Sequence, residues 1–132
     1  MSVIVDTNIL VRFVVDDDPA QSRLARALFL TTELLVIPSV ALCEAVWVLS
    51  RSYKLPLVDI ADAIRRLTVA ENVRVDRPTI DAGLAQIDAG GDFADGVIAY
   101  DGRGLGGETF VSFDRAAVRR LNAQGIAAKV PA

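Results

Sequence analysis

Two aspartates of this sequence stand where a short apolar stretch gives way to the start of a helix. Asp6 follows residues 3–5, a β-branched run that predicts a buried strand, and Asp114 repeats this position after residues 109–113. In open α/β sheets, ligands bind at the edge formed by the carboxyl ends of the strands. Both carboxylates are therefore expected at an edge that a ligand can reach.

Two further acidic residues are expected near the same edge. Glu44 is the one acidic residue of an apolar helix that begins at Pro38, and Asp95 follows a break at Gly90 and Gly91. Right-handed connections between parallel strands allow such positions to converge. Four carboxylates brought together would repel one another unless cations neutralised them. The pattern therefore predicts an acidic metal site, which suits two-metal hydrolysis of a phosphodiester bond.

Each carboxylate also has a purely structural interpretation. Asp6 and Asp114 are suitable helix caps. Capping is the favoured interpretation of Asp92, with Asp95 in a position like that of a capping box. Glu44 is either a buried acid that needs a cation or a surface residue on an exposed stripe of its helix. The residue alone does not decide between these two.

The composition narrows the possible chemistry. The chain has no histidine, which excludes catalytic triads with histidine, histidine-dependent ribonuclease mechanisms and histidine-ligated zinc. The single cysteine, Cys43, excludes an internal disulfide and a cysteine-based zinc site. Carboxylates remain, and oxygen ligands suit Mg²⁺ or Mn²⁺. The net charge of −3 argues against non-specific binding of nucleic acid, but bound divalent ions would reverse the local sign.

Strand-like and helical patterns alternate along the chain, which predicts a single α/β domain over residues 1–132 with a mostly parallel sheet. The helix that begins at Pro38 is apolar nearly all round and is expected to be largely buried. A short helix is expected at residues 97–100, followed by a glycine-rich loop at residues 103–107. No apolar run approaches the roughly 20 residues of a membrane span, and no basic leader precedes the first strand. A cytoplasmic protein is expected, which fits the single cysteine and the absence of an internal disulfide.

Four stretches of the sequence resemble the motifs of a PIN domain, and in particular those of the VapC toxins of bacterial toxin–antitoxin pairs. They are residues 3–10 (VIVDTNIL), 38–44 (PSVALCE), 92–99 (DFADGVIA) and 109–114 (TFVSFD). Their order and separations fit over essentially the whole chain. The resemblance implies a three-layer α/β/α sandwich with a central, mostly parallel sheet. It also implies four metal ligands: Asp6, Glu44, Asp95 and Asp114.

The activity that the resemblance implies is that of a Mg²⁺-dependent endoribonuclease, usually a homodimer, which a VapB-type antitoxin silences. The resemblance matches Asp92 to an auxiliary acid, and Asn8 and Ser112 to polar supports of the site. Gly96 stands where an alanine is more usual and is expected to weaken its helix slightly. Four arginines are candidates for contact with RNA phosphates, although a solvated surface position is at least as good an interpretation of each: Arg12, Arg51, Arg103 and Arg115.

Other functions fit parts of the sequence. A catalytically inert binding module could keep the fold, although the complete set of four acids counts against it. A phosphoacceptor domain with Asp6 as the acceptor would need a second aspartate two residues later, where Asn8 stands. A PIN-like nuclease that processes RNA or acts on DNA could use the same scaffold, and the short chain favours the toxin over it. The RNA substrate stays open among transfer, ribosomal and messenger RNA.

Overall fold

Every strand of the protein pairs in parallel with its neighbour, which confirms the prediction of an α/β fold with parallel strands. The structure is a computed structural model that describes residues 1–132. It divides into two compact units, Met1–Asp76 and Arg77–Ala132, and each unit has its own parallel strands. A single domain over residues 1–132 stays a prediction.

The first unit contains three strands and four helices. In chain order they are β1 (Ser2–Ile4), α1 (Thr7–Val14), α2 (Pro19–Thr31), β2 (Leu34–Val36), α3 (Ser39–Arg51), α4 (Leu57–Thr68) and β3 (Val73–Arg74). The sheet order is β1-β2-β3, with Val3 opposite Leu35. The amide of Val5 donates to the carbonyl of Val36 at 3.1 Å and so extends the pairing of β1. Asp6 therefore stands at the carboxyl end of a strand, as the sequence predicts.

Side-chain caps fix the start of the second helix. Asp18 accepts a hydrogen bond from the amide of Gln21, and Pro19 occupies the first helical position, where its missing amide hydrogen costs nothing. Both features follow from the sequence. None of the helices in either unit has the length and the apolar character needed to cross a membrane.

Two burial predictions for the first unit are wrong. Ile4 in β1 is 77% exposed, so the strand is not buried along its length. In α3, Val40 is 74% and Trp47 is 57% exposed, and Glu44 is exposed between them. Residues spaced by three and four lie on one face of a helix, so these three form a single exposed stripe. Apolar composition predicted a helix buried all round, but one stripe of α3 is left without a partner within the unit.

The second unit contains three helices and two strands. In chain order they are α5 (Arg77–Asp88), α6 (Phe93–Gly104), β4 (Phe110–Val111), α7 (Arg115–Ala123) and β5 (Ala128–Lys129). β4 and β5 pair in parallel, with Phe110 opposite Ala128. α6 is longer than predicted, because the first two residues of the expected glycine-rich loop, Arg103 and Gly104, are helical. The chain leaves the helix at Gly106, whose φ of +103° is a left-handed conformation that glycine adopts without strain.

Close packing of α5 against α6 depends on two glycines. A Cβ atom on Gly96 would lie 2.1 Å from the carbonyl oxygen of Ala82, and a Cβ atom on Gly83 would lie 2.5 Å from the ring of Phe93. Phe93 is fully buried. The glycine at position 96 is therefore required for the approach of the two helices. This contact fixes the first turn of α6, which carries Asp95.

Candidate metal centre

Thr7 links Asp6 and Glu44, the two predicted acidic ligands of the first unit. Asp6 caps α1, since its Oδ1 accepts a hydrogen bond from the amide of Thr7 at 2.7 Å. The hydroxyl of Thr7 donates to Oε2 of Glu44, which lies on α3, at 2.9 Å. Packing of α1 against α3 thus brings Asp6 and Glu44 to one place, and Thr7 joins them.

Asp6, Thr7 and Glu44 line two cavities, of about 270 and 320 Å³. The smaller one is bounded by the end of β1 and by Pro38 at the start of α3. The larger one runs along α1 and α3 toward Tyr53. Both carboxylates are exposed. Of the two interpretations of Glu44, the exposed position is therefore correct, and the buried acid is wrong.

Three aspartates lie near one another in the second unit. Asp92 caps α6, since its Oδ1 accepts a hydrogen bond from the amide of Ala94 at 3.2 Å. Asp114 caps α7 in the same way, through the amide of Ala117 at 3.0 Å. Asp95 lies in the first turn of α6 and caps nothing. The capping prediction for Asp92 is therefore confirmed, and Asp114 also serves as a cap.

Asp95 is the aspartate whose protonation responds to the other two. Partial burial raises the pKa of Asp95, and the negative charges of Asp92 and Asp114 raise it further. The guanidinium of Arg120 lowers this pKa, but by less than the other causes raise it. Asp95 thus lies close enough to Asp92 and Asp114 to be repelled by both, and a nearby cation would relieve that repulsion.

Two polar residues that the resemblance matches to supports of the site lie beside its acids. The amide of Asp114 donates to Oγ of Ser112 at 3.0 Å, which fixes the backbone just before α7. Asn8 lines the larger cavity together with Asp6 and Glu44. Their roles toward a bound metal stay predictions.

The four candidate arginines differ in their surroundings. Nη1 of Arg12 donates to Oδ1 of Asp17 at 2.6 Å and to Oη of Tyr53 at 3.1 Å, and its Nε donates to Oε1 of Gln21 at 2.8 Å. The hydrogen bond with Tyr53 and the charge of Asp17 raise the pKa of Arg12. Arg12 is therefore not a freely solvated arginine. Three others are exposed, and their contact with RNA stays a prediction: Arg51, Arg103 and Arg115.

The carboxylates of both units fit a hard divalent cation. The helix caps use Oδ1 of Asp6 and of Asp114, and Thr7 uses Oε2 of Glu44, so each side chain offers its second oxygen to a metal. Mg²⁺ keeps several waters and is usually held by one or two carboxylates together with substrate phosphate. Neither unit gathers three aspartate, glutamate or cysteine side chains into a group that could hold a metal ion by itself.

Sequence reasoning missed two residues of the larger cavity, Thr7 and Tyr53. Thr7 had a local signal, because its hydroxyl stands between Asp6 and Asn8 at the strand–helix junction. Tyr53 had none. Its hydroxyl donates to Oδ2 of Asp17 at 2.8 Å across 36 positions of the chain, a contact that no local pattern indicates.

The model of the PIN domain family matches residues 3–122 of the chain. The matched range contains all four of the acids that were predicted as ligands. A search among curated proteins finds no significant match.

Proposed function

The chain belongs to the PIN domain family, and we propose that it is a metal-dependent endoribonuclease, the toxin of a VapBC-type toxin–antitoxin pair. PIN domains are generally metal-dependent nucleases, so the family supplies the nuclease-like fold and the reaction class. The proposal adds Mg²⁺, or Mn²⁺ in its place, as the cofactor and RNA in the cytoplasm as the substrate.

The observation that carries the proposal is the pairing of Asp6 with Glu44 around Thr7. Asp6 stands at the junction of β1 and α1, Glu44 lies on α3, and the two acids share two cavities, although two exposed carboxylates gain nothing in stability from being neighbours. The crowding of Asp95 with Asp92 and Asp114 adds support from the second unit. An arrangement that concentrates negative charge at solvent-accessible positions is typical of a site that binds a cation.

The proposed metal ligands are Asp6, Glu44, Asp95 and Asp114. When bound, the metal supplies an activated water and stabilises the leaving oxygen of the phosphodiester bond. The chain's own polar groups keep the carboxylates in place. The hydroxyl of Thr7 fixes the rotamer of Glu44, and the hydroxyl of Ser112 fixes the backbone at Asp114. Asp92 keeps its role as a cap.

Homodimer formation and binding of a VapB-type antitoxin complete the proposal. The exposed stripe of α3 supports association, because Val40 and Trp47 present apolar surface that a partner would cover. The antitoxin is expected to place a basic side chain near the acidic residues and to compete with the metal. Light scattering that detects only monomer at micromolar concentration would count against the dimer. Failure to co-purify with the product of the adjacent gene would count against the toxin role.

Cleavage of RNA by the purified protein tests the proposed chemistry. Cleavage should require Mg²⁺ or Mn²⁺, stop in excess EDTA and return when Mg²⁺ is restored. Asp6→Asn should keep the cap, because asparagine and aspartate cap about equally well, while the rate falls by orders of magnitude. Asp92→Asn is the matched control and should keep substantial activity. Robust cleavage in EDTA would refute the metal requirement. A wild-type protein that binds RNA without cleaving it would indicate an inert module.

A further inference from the structure

The larger cavity of the first unit changes in chemical character along its length. It has a volume of about 320 Å³ and lies between α1 and α3. Asp6 and Glu44 occupy one end, and Val11 and Val48 line the middle. At the other end Tyr53, just beyond the end of α3, closes the cavity together with Arg12. The cavity therefore passes from acidic through apolar to aromatic.

Helix geometry accounts for this sequence of side chains. Asn8, Val11 and Arg12 are spaced by three and four residues and share one face of α1. Glu44 and Val48 are spaced by four on the facing helix. Six residues separate Asp6 from Arg12, which corresponds to about 9 Å along a helix. The cavity is thus on the scale of one nucleotide.

Hydrogen bonds from two directions hold the ring of Tyr53 in place. Its hydroxyl donates to Oδ2 of Asp17 at 2.8 Å and accepts from Nη1 of Arg12 at 3.1 Å. Arg12 is itself held by Oδ1 of Asp17 and by Gln21 of α2. The same interactions lower the pKa of Asp17, chiefly through the hydrogen bond from Tyr53. The polar end of the ring is therefore fixed, while the ring remains a part of the cavity wall.

We propose that Tyr53 is a specificity-determining residue that stacks on an unpaired base of the RNA, next to the phosphate that the acidic residues engage. The inference rests on the proposed ribonuclease function and names the part of the substrate that this cavity takes. With the proposed metal held by Asp6 and Glu44, the acidic end would take the phosphate, the valines would contact the sugar, and the fixed ring would accept the base. Proteins that recognise RNA bind unstacked bases on aromatic side chains in this way. The cavity therefore selects single-stranded RNA.

Steady-state kinetics on a single-stranded RNA dodecamer with a fluorophore and a quencher separates stacking from a structural role. Tyr53→Leu removes the ring and should raise KM about 5- to 150-fold, which corresponds to about 1–3 kcal/mol of base–aromatic stacking, with little change in kcat. Tyr53→Phe keeps the ring and loses the hydrogen bonds, so its KM should stay within about threefold of the wild type. Tyr100→Leu, an equivalent change at an exposed tyrosine of α6, is the control and should have no effect.

Binding of RNA that lacks single bases tests the same inference without relying on cleavage, and its measurement on the wild-type protein does not depend on the folding of a variant. Fluorescence anisotropy with Ca²⁺ should find one position of the dodecamer at which removal of the base weakens binding to the wild-type protein. Removal of the same base should not weaken binding to Tyr53→Leu, because that variant lacks the ring on which the base stacks. If Tyr53→Phe raised KM as much as Tyr53→Leu, Tyr53 would serve only the hydrogen-bond network and the inference would be overturned. Cleavage that is indifferent to both variants and to every base removal would overturn this inference alone. Absence of both RNA binding and cleavage in the wild type would overturn the proposed function as well.

Discussion

Replacement of Gly96 by alanine should destabilise the protein, although helix propensity alone predicts the opposite. In a helix interior, alanine is favoured over glycine by about 1 kcal/mol. At position 96, however, the added Cβ would meet the carbonyl oxygen of Ala82 at 2.1 Å, and ordinary contact begins at 3.4 Å. The obstacle is backbone of α5, which cannot rotate away as a side chain can. The two helices would have to separate by about 1 Å, which also disturbs the packing of Phe93 against Gly83.

The expected magnitude follows from the two opposing effects. Overpacking of a well-packed contact costs about 1–3 kcal/mol, and the propensity gain offsets about 1 kcal/mol of that. Gly102→Ala supplies the control, because Gly102 lies in the same helix and a Cβ there would meet no atom within 4 Å. The control should gain up to about 1 kcal/mol. The two variants should therefore differ by about 1–3 kcal/mol, or roughly 4–12 °C in Tm for a chain of this size.

Urea denaturation and thermal melting of both variants, measured without metal, check this expectation. Gly96→Ala should unfold at lower urea concentration than the wild type, with an unchanged m-value. If Gly96→Ala were as stabilising as Gly102→Ala, the close approach of α5 and α6 would be wrong. Position 96 would then be an ordinary helix position that happens to carry glycine.

Three further outcomes are expected from changes of charge. Asp95→Asn should melt higher than the wild type in EDTA at neutral pH, because the raised pKa of Asp95 means that its ionised form is disfavoured in the folded state. This gain should shrink as the pH falls through the carboxyl range, and a gain independent of pH would contradict the electrostatic cause. Asp17 has a lowered pKa, so its ionised form stabilises the folded state at any pH above its pKa in the unfolded chain, and this stabilisation is lost as the pH falls through its pKa in the folded state. Asp17→Asn should therefore flatten the acid limb of a plot of Tm against pH. Glu44→Gln should change the free energy of unfolding in EDTA by no more than about 0.5 kcal/mol, because Glu44 is exposed, while Mg²⁺-dependent cleavage is lost. A large rise in Tm would restore the interpretation of Glu44 as a buried acid.

Local features of the fold could be predicted because their causes are local. The strand–aspartate–helix junction at Asp6 needs only an apolar run, a capping side chain and a helical pattern after it. The start of α2 at Pro19 and the capping role of Asp92 follow from the same short-range rules. The motifs that carry these junctions are also those that give the resemblance to the PIN domain family, and the match to that family confirms it.

Long-range packing could not be predicted in the same way. The sequence of α3 is apolar on most sides, and Glu44 alone indicates that the stripe through Val40 and Trp47 stays exposed. Helix propensity predicts that Gly96 weakens its helix, and the local sequence does not indicate that the carbonyl of Ala82, from another helix, leaves no room for a Cβ there. The place of Tyr53 in the cavity depends on a partner 36 positions away. In each case the determining atom comes from a different element of the fold.

The sequence left capping and metal binding as competing interpretations of the aspartates, but the geometry makes them compatible. A cap needs one acceptor oxygen, and at Asp6 and Asp114 that oxygen is Oδ1. The helix N-terminus also favours a negatively charged side chain at the capping position. In the proposed site, capping fixes the orientation of the carboxylate through one oxygen and leaves the second oxygen for the metal. Because asparagine satisfies the first role and not the second, a change from aspartate to asparagine separates stability from activity at both positions.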